Sequence, residues 1–322
     1  MNSSEIKCYA HTLGLDCVGI APAKLPLPVH ADDPVCPFTA GRGPDRFQPT
    51  SVLPGAQAVI VVLFPYYTKV TGQSNLSLYA QCRDYHLVVH DYLEDLCHYI
   101  DNCCPGSEHV LCVDTAPLAD RWLAYQAGLG FYGDNQCFFH PRYGSYCYIG
   151  SIVTSLPLEP DTPLQRQCLH CGACSQACPG QCLTGSPFHY DRCKSYLTQK
   201  KGELTMNEQN IIARTPLIFG CDECQQACPL NEQAAETPLA PFRQDRLQQL
   251  LPNDITGLTN RQFKAAYGDR AFAWRGKAIL LRNMTYVNAS KTLQRPYEGD
   301  YFHDNVHEQH GQQPQDNQQR QE

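Results

Sequence analysis

The chain has 322 residues, of which 43% are hydrophobic and 18% charged, enough apolar mass for a real core and too much for global disorder. Its net charge of −7 excludes binding to nucleic acid by bulk charge and leaves only local basic patches for that task. No apolar run approaches the ~20 residues of a membrane helix. The start, Met1-Asn2-Ser3-Ser4-Glu5, lacks the basic and apolar parts of a secretory signal, so a cytoplasmic chain without membrane contact is expected.

In chain order, the first strong element is Ala58 to Phe64, an unbroken apolar run closed by Pro65, as in a strand buried on both faces. Residues 84–100 carry Val88, Tyr92, Leu96 and Tyr99 at helical spacing. Val110 to Val113 reads as a short strand ending at Asp114, and Pro117 opens a helix that Gly128-Leu129-Gly130 stops. Tyr146 to Thr154 is a third strand. Strands alternating with helices predict an α/β fold, a mixed sheet with flanking helices, over residues 1–160.

A proline-rich linker leads into a cysteine-rich module over 161–232. A helical segment over 233–292 follows, in which residues 243–282 hold eight Lys and Arg against three acids. The last part, 293–322, reads as a disordered polar tail whose His303, His307 and His310 form a weak candidate for metal binding.

Nineteen cysteines in a long chain without a signal favour metal or redox chemistry over disulfides. Seven fall in two runs. Cys168-x2-Cys171-x2-Cys174-x3-Cys178-Pro179 has the spacing of two-cluster ferredoxins, in which the fourth cysteine ligates the other cluster. Cys221-x2-Cys224-x3-Cys228-Pro229 is its partner and lacks one cysteine, where Ile218 stands. Cys193 is the natural substitute, with Cys182 as its competitor. The expected ligand sets are Cys168, Cys171, Cys174 and Cys228 for one [4Fe–4S] cluster, and Cys178, Cys193, Cys221 and Cys224 for the other. Zinc usually pairs two C-x2-C knuckles, a poor match to this triple run. The ten remaining cysteines read as small buried hydrophobes.

Several further blocks are not ferredoxin features. They include Leu53-Pro54-Gly55-Ala56, Arg83-Asp84-Tyr85-His86, Val113-Asp114-Thr115, Ala127-Gly128-Leu129-Gly130-Phe131 and Tyr143-Gly144-Ser145-Tyr146. Others are Cys193-Lys194-Ser195-Tyr196-Leu197-Thr198-Gln199, Gly220-Cys221-Asp222-Glu223-Cys224-Gln225, Trp274-Arg275-Gly276-Lys277 and Arg282-Asn283. With them the chain resembles the epoxyqueuosine reductase family, over roughly residues 5–290.

That resemblance implies a base-off cobalamin between the 1–160 domain and the cluster module, with electrons reaching cobalt through the clusters from an external low-potential donor. It implies tRNA carrying the queuosine precursor as substrate, and a monomer. The family's acid maps onto Asp114; read from residues alone, Asp114 could equally cap the helix at Pro117. Arg46, Phe138, Ile149 and Ser195 fall, with Asp114, at cobalamin-facing positions, and Arg275, Lys277 and Arg282 at tRNA phosphates. The chain departs from the family where Asp134 replaces a lysine before Asn135 and where Ser151 replaces a glutamate. It also stops before the family's helical-repeat extension. Two other readings follow from these departures: a corrinoid iron–sulfur reductase of another substrate, and a two-cluster module passing electrons to another enzyme.

Overall fold

The structure, a computed structural model, describes residues 1–293 except 30, 70, 71, 185 and 186. The polar tail and its three histidines lie outside the described residues. Ser3–Thr12 forms α1, capped by Asn2, and leads into strand β1, Val18–Pro22. A long loop then reaches β2, Ala58–Pro65, every residue of which is buried. Helix α2, Tyr85–Cys103, is followed by β3, His109–Val113, and α3, Asp120–Gln126. A small hairpin, β4 (Phe131–Tyr132) with β5 (Phe138–Phe139), precedes β6, Cys147–Thr154.

The four long strands form one sheet in the order β1-β2-β6-β3, antiparallel throughout rather than mixed. The reason is the late arrival of β6. It slides between β2 and β3, which α2 connects as parallel strands, and pairs with both in the opposite sense. Strand alternation then divides the core. Ile60, Val62 and Phe64 of β2 pack with Val88, Leu93 and Leu96 of α2 on one face, while Val59, Val61 and Leu63 pack with Leu123 and Ala124 of α3 on the other. Both faces are covered, so the unbroken apolar run of β2 is what the position requires.

Three further helices carry the cysteine module: α4 (Ala173–Ala177), α5 (Lys194–Leu197) and α6 (Met206–Ala213), with α7 (Glu223–Gln226) after them. The expected helical stretch after 240 is broken into α8 (Ala240–Arg243), α9 (Pro252–Ile255), α10 (Asn260–Tyr267) and α11 (Lys277–Leu293). Leu250, Ile255, Phe263, Phe272 and Leu280 from this stretch share one apolar cluster with Leu197, Ile212, Ile218 and Phe219 of the module. Leu76 and Ala80, between β2 and α2, complete that cluster. The last helices therefore clamp the cysteine module to the sheet domain. Two close approaches show how tight this is. A Cβ on Gly220 would lie 2.0 Å from Ser77 Oγ, and one on Gly180 1.8 Å from the Arg192 carbonyl. The second approach draws the loop after Cys178 against the turn before Cys193. Among the described residues, no helix is long and apolar enough to cross a membrane.

Candidate active site and cluster-binding thiols

Asp114 follows the last residue of β3 with φ +49, a left-handed conformation that Asp tolerates better than most residues. The Thr115 amide turns back to the Val113 carbonyl. This tight turn lifts the Asp114 carboxylate clear of the sheet, leaving its side chain 62% exposed. It caps no helix: α3 starts at Asp120, six residues on, with Ala119 at its N-cap. Because Val113 pairs with Gly150, Ile149 continues the register beside Asp114.

The start of α2 holds the carboxylate. Tyr85 Oη donates to Asp114 Oδ2 at 2.6 Å, and His86 Nε2 stands 3.5 Å from the same oxygen. The Tyr85 ring stacks on Tyr148 of β6 at 4.4 Å, which fixes its direction. Asp84 is the N-cap of α2. Its Oδ1 accepts both from the His86 amide at 3.0 Å and from His86 Nδ1 at 2.8 Å. A ring with a carboxylate at each nitrogen is an imidazolium. Burial opposes that charge, but the hydrogen bonds to Asp114 and Asp84 outweigh it and push the His86 pKa up to about 9.

The desolvated, proton-holding Asp114 expected of an acid is not what the site shows. Burial does raise its pKa, yet the hydrogen bonds from His86 and Tyr85 more than offset this and hold the carboxyl below its ordinary range. The neutral carboxyl is a neighbour that sequence reasoning missed. Asp120, at the head of α3, is pushed up to about 8 by burial and by the charge of Asp114. Two adjacent carboxyls with pKa values driven apart are a hallmark of acid–base sites.

Arg46 lies in the same charge neighbourhood, close to Asp120, Arg121 and Tyr132. Its Nε and Asp120 Oδ1 are buried without a hydrogen-bond partner. Phe138 is buried in β5 and meets Tyr132 edge-on at 6.1 Å, and Ile149 packs on the same apolar cluster. Ser195, in α5, hydrogen-bonds Tyr79, a half-buried tyrosine that also senses Asp114. Ile149, beside Asp114 in register, Arg46, near Asp120, and Ser195, joined through Tyr79, thus lie toward Asp114 at the end of β3, and Phe138 meets Tyr132 of the same charge neighbourhood. Asp134 lies elsewhere. Its Oδ1 pairs with His170 Nδ1 at 2.9 Å beside Cys168, so the reversed charge sits at the cysteines.

The cysteines of the module lie in two neighbourhoods. Cys168, Cys171, Cys174 and Cys228 line one cavity together with Asp134, and Cys171 is exposed. Cys193 interacts with Cys178, and Cys221 and Cys224 each lie close enough to feel it. Cys182, the competitor, is there too: its Sγ is 3.3 Å from Cys178 Sγ and it hydrogen-bonds Cys193. Cys137 of the β4–β5 turn, absent from sequence reasoning, hydrogen-bonds Cys224. The first neighbourhood holds the four expected thiols, and the second holds Cys178, Cys193, Cys221 and Cys224 together with Cys182 and Cys137.

The C-terminal cations fare differently from one another. Lys277 Nζ donates to the carbonyls of Ile255, Thr256 and Leu258 at the end of α9. Arg282 donates to the carbonyls of Leu197, Lys200 and Gly202. Both are engaged inside the protein. Arg275 instead lies over two aromatic faces, Trp274 at 3.7 Å and Phe38 at 4.6 Å. Phe38 also meets Tyr196 at 4.9 Å, and Trp274 is 51% exposed.

Two family models match the chain: Epoxyqueuosine reductase QueG, DUF1730, over residues 46–115, and 4Fe-4S double cluster binding domain over residues 167–231. The chain therefore carries a double [4Fe–4S] cluster domain. Among solved structures, a crystal structure of epoxyqueuosine reductase with a tRNA-Tyr epoxyqueuosine-modified tRNA stem loop superposes with a TM-score of 0.81 at 27% identity, covering 89% of this chain and 80% of that one. The enzyme from Streptococcus thermophilus superposes with a TM-score of 0.77 at 30% identity, covering 89% and 81%. The epoxyqueuosine reductase of Gloeobacter violaceus is 33% identical over 273 residues, 77% of this chain and 85% of its own length. That of Staphylococcus aureus (strain NCTC 8325 / PS 47) is 33% identical over 301 residues, 87% of this chain and 77% of its own. On this similarity across most of both chains, the protein belongs to the epoxyqueuosine reductase family and is an oxidoreductase.

Proposed function

We propose that this chain reduces epoxyqueuosine to queuosine in tRNA, a step that takes up two electrons and two protons as the epoxide oxygen leaves as water, with Asp114 delivering one of the protons to that oxygen. The observation that carries this reading is the Asp84–His86–Asp114 line, which ends in an exposed carboxylate on a strained turn. A plain electron relay has no use for such a device. His86 holds a proton through neutral pH, and Asp114 is the most exposed of the three side chains. The proton passes from His86 Nε2 to Asp114 Oδ2 and on to the substrate oxygen, while Tyr85 and Asp84 keep the two partners in line.

Cobalamin fits the region around Asp114. The buried Arg46 Nε lacks an acceptor, and Asp120 Oδ1, the oxygen of a neutral acid, lacks a donor. The amide-fringed rim of a corrin offers both. Arg46, Phe138, Ile149 and Ser195 would hold it, and when bound it supplies the reducing metal centre. The eight cysteines Cys168, Cys171, Cys174, Cys228, Cys178, Cys193, Cys221 and Cys224 would hold the two clusters, with electrons coming from an external low-potential donor.

The tRNA face we propose is the aromatic and cationic patch of Trp274, Arg275, Phe38 and Tyr196, next to Ser195. Unpaired bases stack on such surfaces, and Arg275 adds charge for a phosphate. Lys277 and Arg282 shape the patch rather than contact the nucleic acid. The test is anaerobic reconstitution with iron, sulfide and cobalamin, followed by mass analysis of precursor tRNA. Loss of one oxygen from the modified base is expected. A fully loaded protein that leaves the precursor unchanged, yet reduces an added electron acceptor, would overturn this reading in favour of a relay.

A further inference from the structure

Lys194 is the one side chain of α5 that carries charge into the interior. It follows Cys193 directly and is only 1% exposed. Its Nζ donates to the Ile212 carbonyl at 2.7 Å, the Thr215 carbonyl at 2.9 Å and Thr215 Oγ1 at 2.5 Å. Two of these partners can only accept, and the three together match the three N–H groups of an ammonium. Among the described residues no carboxylate lies within the 4.0 Å of an ion pair with it. A buried cation balanced by dipoles alone is unfavourable, because removing it from water demands an anion in return. Burial lowers the Lys194 pKa to about 8, opposed by Cys221, which is a thiolate once it holds metal, and by Glu223.

We propose that Lys194 is the built-in counter-charge of the second [4Fe–4S] cluster and raises that cluster's reduction potential. The inference rests on the reading that Cys178, Cys193, Cys221 and Cys224 hold a cluster. A cubane with four thiolate ligands is net negative, and adding an electron makes it more so. A fixed cation nearby favours the reduced form, since cluster potentials follow net charge and burial. At the first group of thiols the neighbouring charged side chain is an anion instead: Asp134 stands beside Cys168 and lines the same cavity. The second group lies toward Ser195 and Tyr79, hence toward Asp114.

A lysine that only staples α5 to the end of α6 would have the same hydrogen bonds, so the test must read electrons. The holoprotein is titrated anaerobically with a titanium(III) reductant and each reduced cluster is followed by electron paramagnetic resonance. Lys194→Met is expected to keep its iron and to shift one of two reduction waves to lower potential. At the potential where that cluster is half reduced in the parent, the reduced-to-oxidised ratio should fall at least about tenfold, equivalent to ~59 mV for one electron. Lys194→Arg, which keeps the charge, should leave the wave near its parent position. Where the methionine variant does not load, Lys194→Gln keeps a donor for the Ile212 carbonyl and should show the same shift. Two parent waves that neither uncharged variant moves, or that move together, overturn the inference alone. A single wave with half the expected iron in the parent overturns the two-cluster reading along with it.

Discussion

The turn at Asp114 and the helical segment at Lys277 and Arg282 both look functional in sequence, yet the structure uses their polar atoms in opposite ways. Asp114 is held by two residues, Tyr85 and His86, that leave it exposed and poised. Lys277 and Arg282 give their donors to carbonyls at helix ends and loops of their own chain. The difference shows that charge alone does not identify a binding residue. A side chain available for chemistry is positioned by partners that stop short of satisfying or covering it, whereas a structural one has its donors taken up. Each region should therefore respond in a different measurement, activity for one and stability for the other.

Asp114→Asn should separate the two most widely. Asparagine fits the left-handed turn and still accepts from Tyr85, so the fold, both clusters and any bound cobalamin should persist. It cannot carry a proton, and a positioned acid typically contributes ~10²–10⁴-fold. Turnover on precursor tRNA should fall at least about a hundredfold, with the melting temperature unchanged. Activity within a few-fold of the parent would remove Asp114 from the mechanism and turn attention to the neutral Asp120.

Arg282→Met should show the reverse pattern. It leaves three backbone carbonyls without their charged donor, for a loss of about 1–3 kcal/mol in stability. Denaturant or thermal unfolding should register this, while the salt dependence of tRNA binding stays at the parent value. A flatter salt slope with unchanged stability would return Arg282 to the nucleic-acid interface.

The parts legible in sequence are those set by local spacing. The ligand cysteines stand out because short loops between thiolates are a local requirement, and Ala58 to Pro65 because both its faces are buried. Strand β1 was not legible: Gly19 and Pro22 weaken its pattern, and Gly19 is there because a Cβ would lie 2.2 Å from the Ala127 carbonyl, on a distant segment of the chain. Cys137 escaped for a related reason, since only the β4–β5 hairpin carries it to Cys224. The ionisation of Asp114 depends on Tyr85 and His86, nearly thirty residues earlier, and no spacing rule reveals that pairing. The fate of Lys277 and Arg282 depends on which carbonyls the tertiary fold leaves open.

Acidity offers a finer test of the Asp114 side. The His86 pKa is raised from 6.5 to about 9, so the proton it supplies is present at neutral pH and is lost as pH rises through about 9. The rate at saturating substrate should therefore decline on a basic limb near that value. The same linkage makes the His86 contribution to stability complete below its unfolded pKa and absent above the folded one. Asp84→Asn removes one of the two anions that support the imidazolium, though asparagine still caps α2. The basic limb should move to lower pH by roughly one unit. A limb that stays in place would show that the titrating group is not His86.

The smallest effect belongs to Arg275, the half-buried cation of the C-terminal segment that lies over the exposed Trp274 and the half-buried Phe38. If the contrast between engaged and available side chains holds, Arg275→Ala should weaken tRNA binding while costing little stability, as surface changes usually do. Removing one cation from a phosphate should flatten the slope of log affinity against log salt by roughly one unit. Its guanidinium also rests on Trp274 at 3.7 Å, so Arg275→Lys, which keeps the charge but stacks poorly, should preserve the slope and lower affinity. Equal salt slopes in parent and alanine variant would place the tRNA elsewhere on the surface. They would also remove this segment from nucleic-acid recognition, leaving it only the clamp that joins the cysteine module to the sheet.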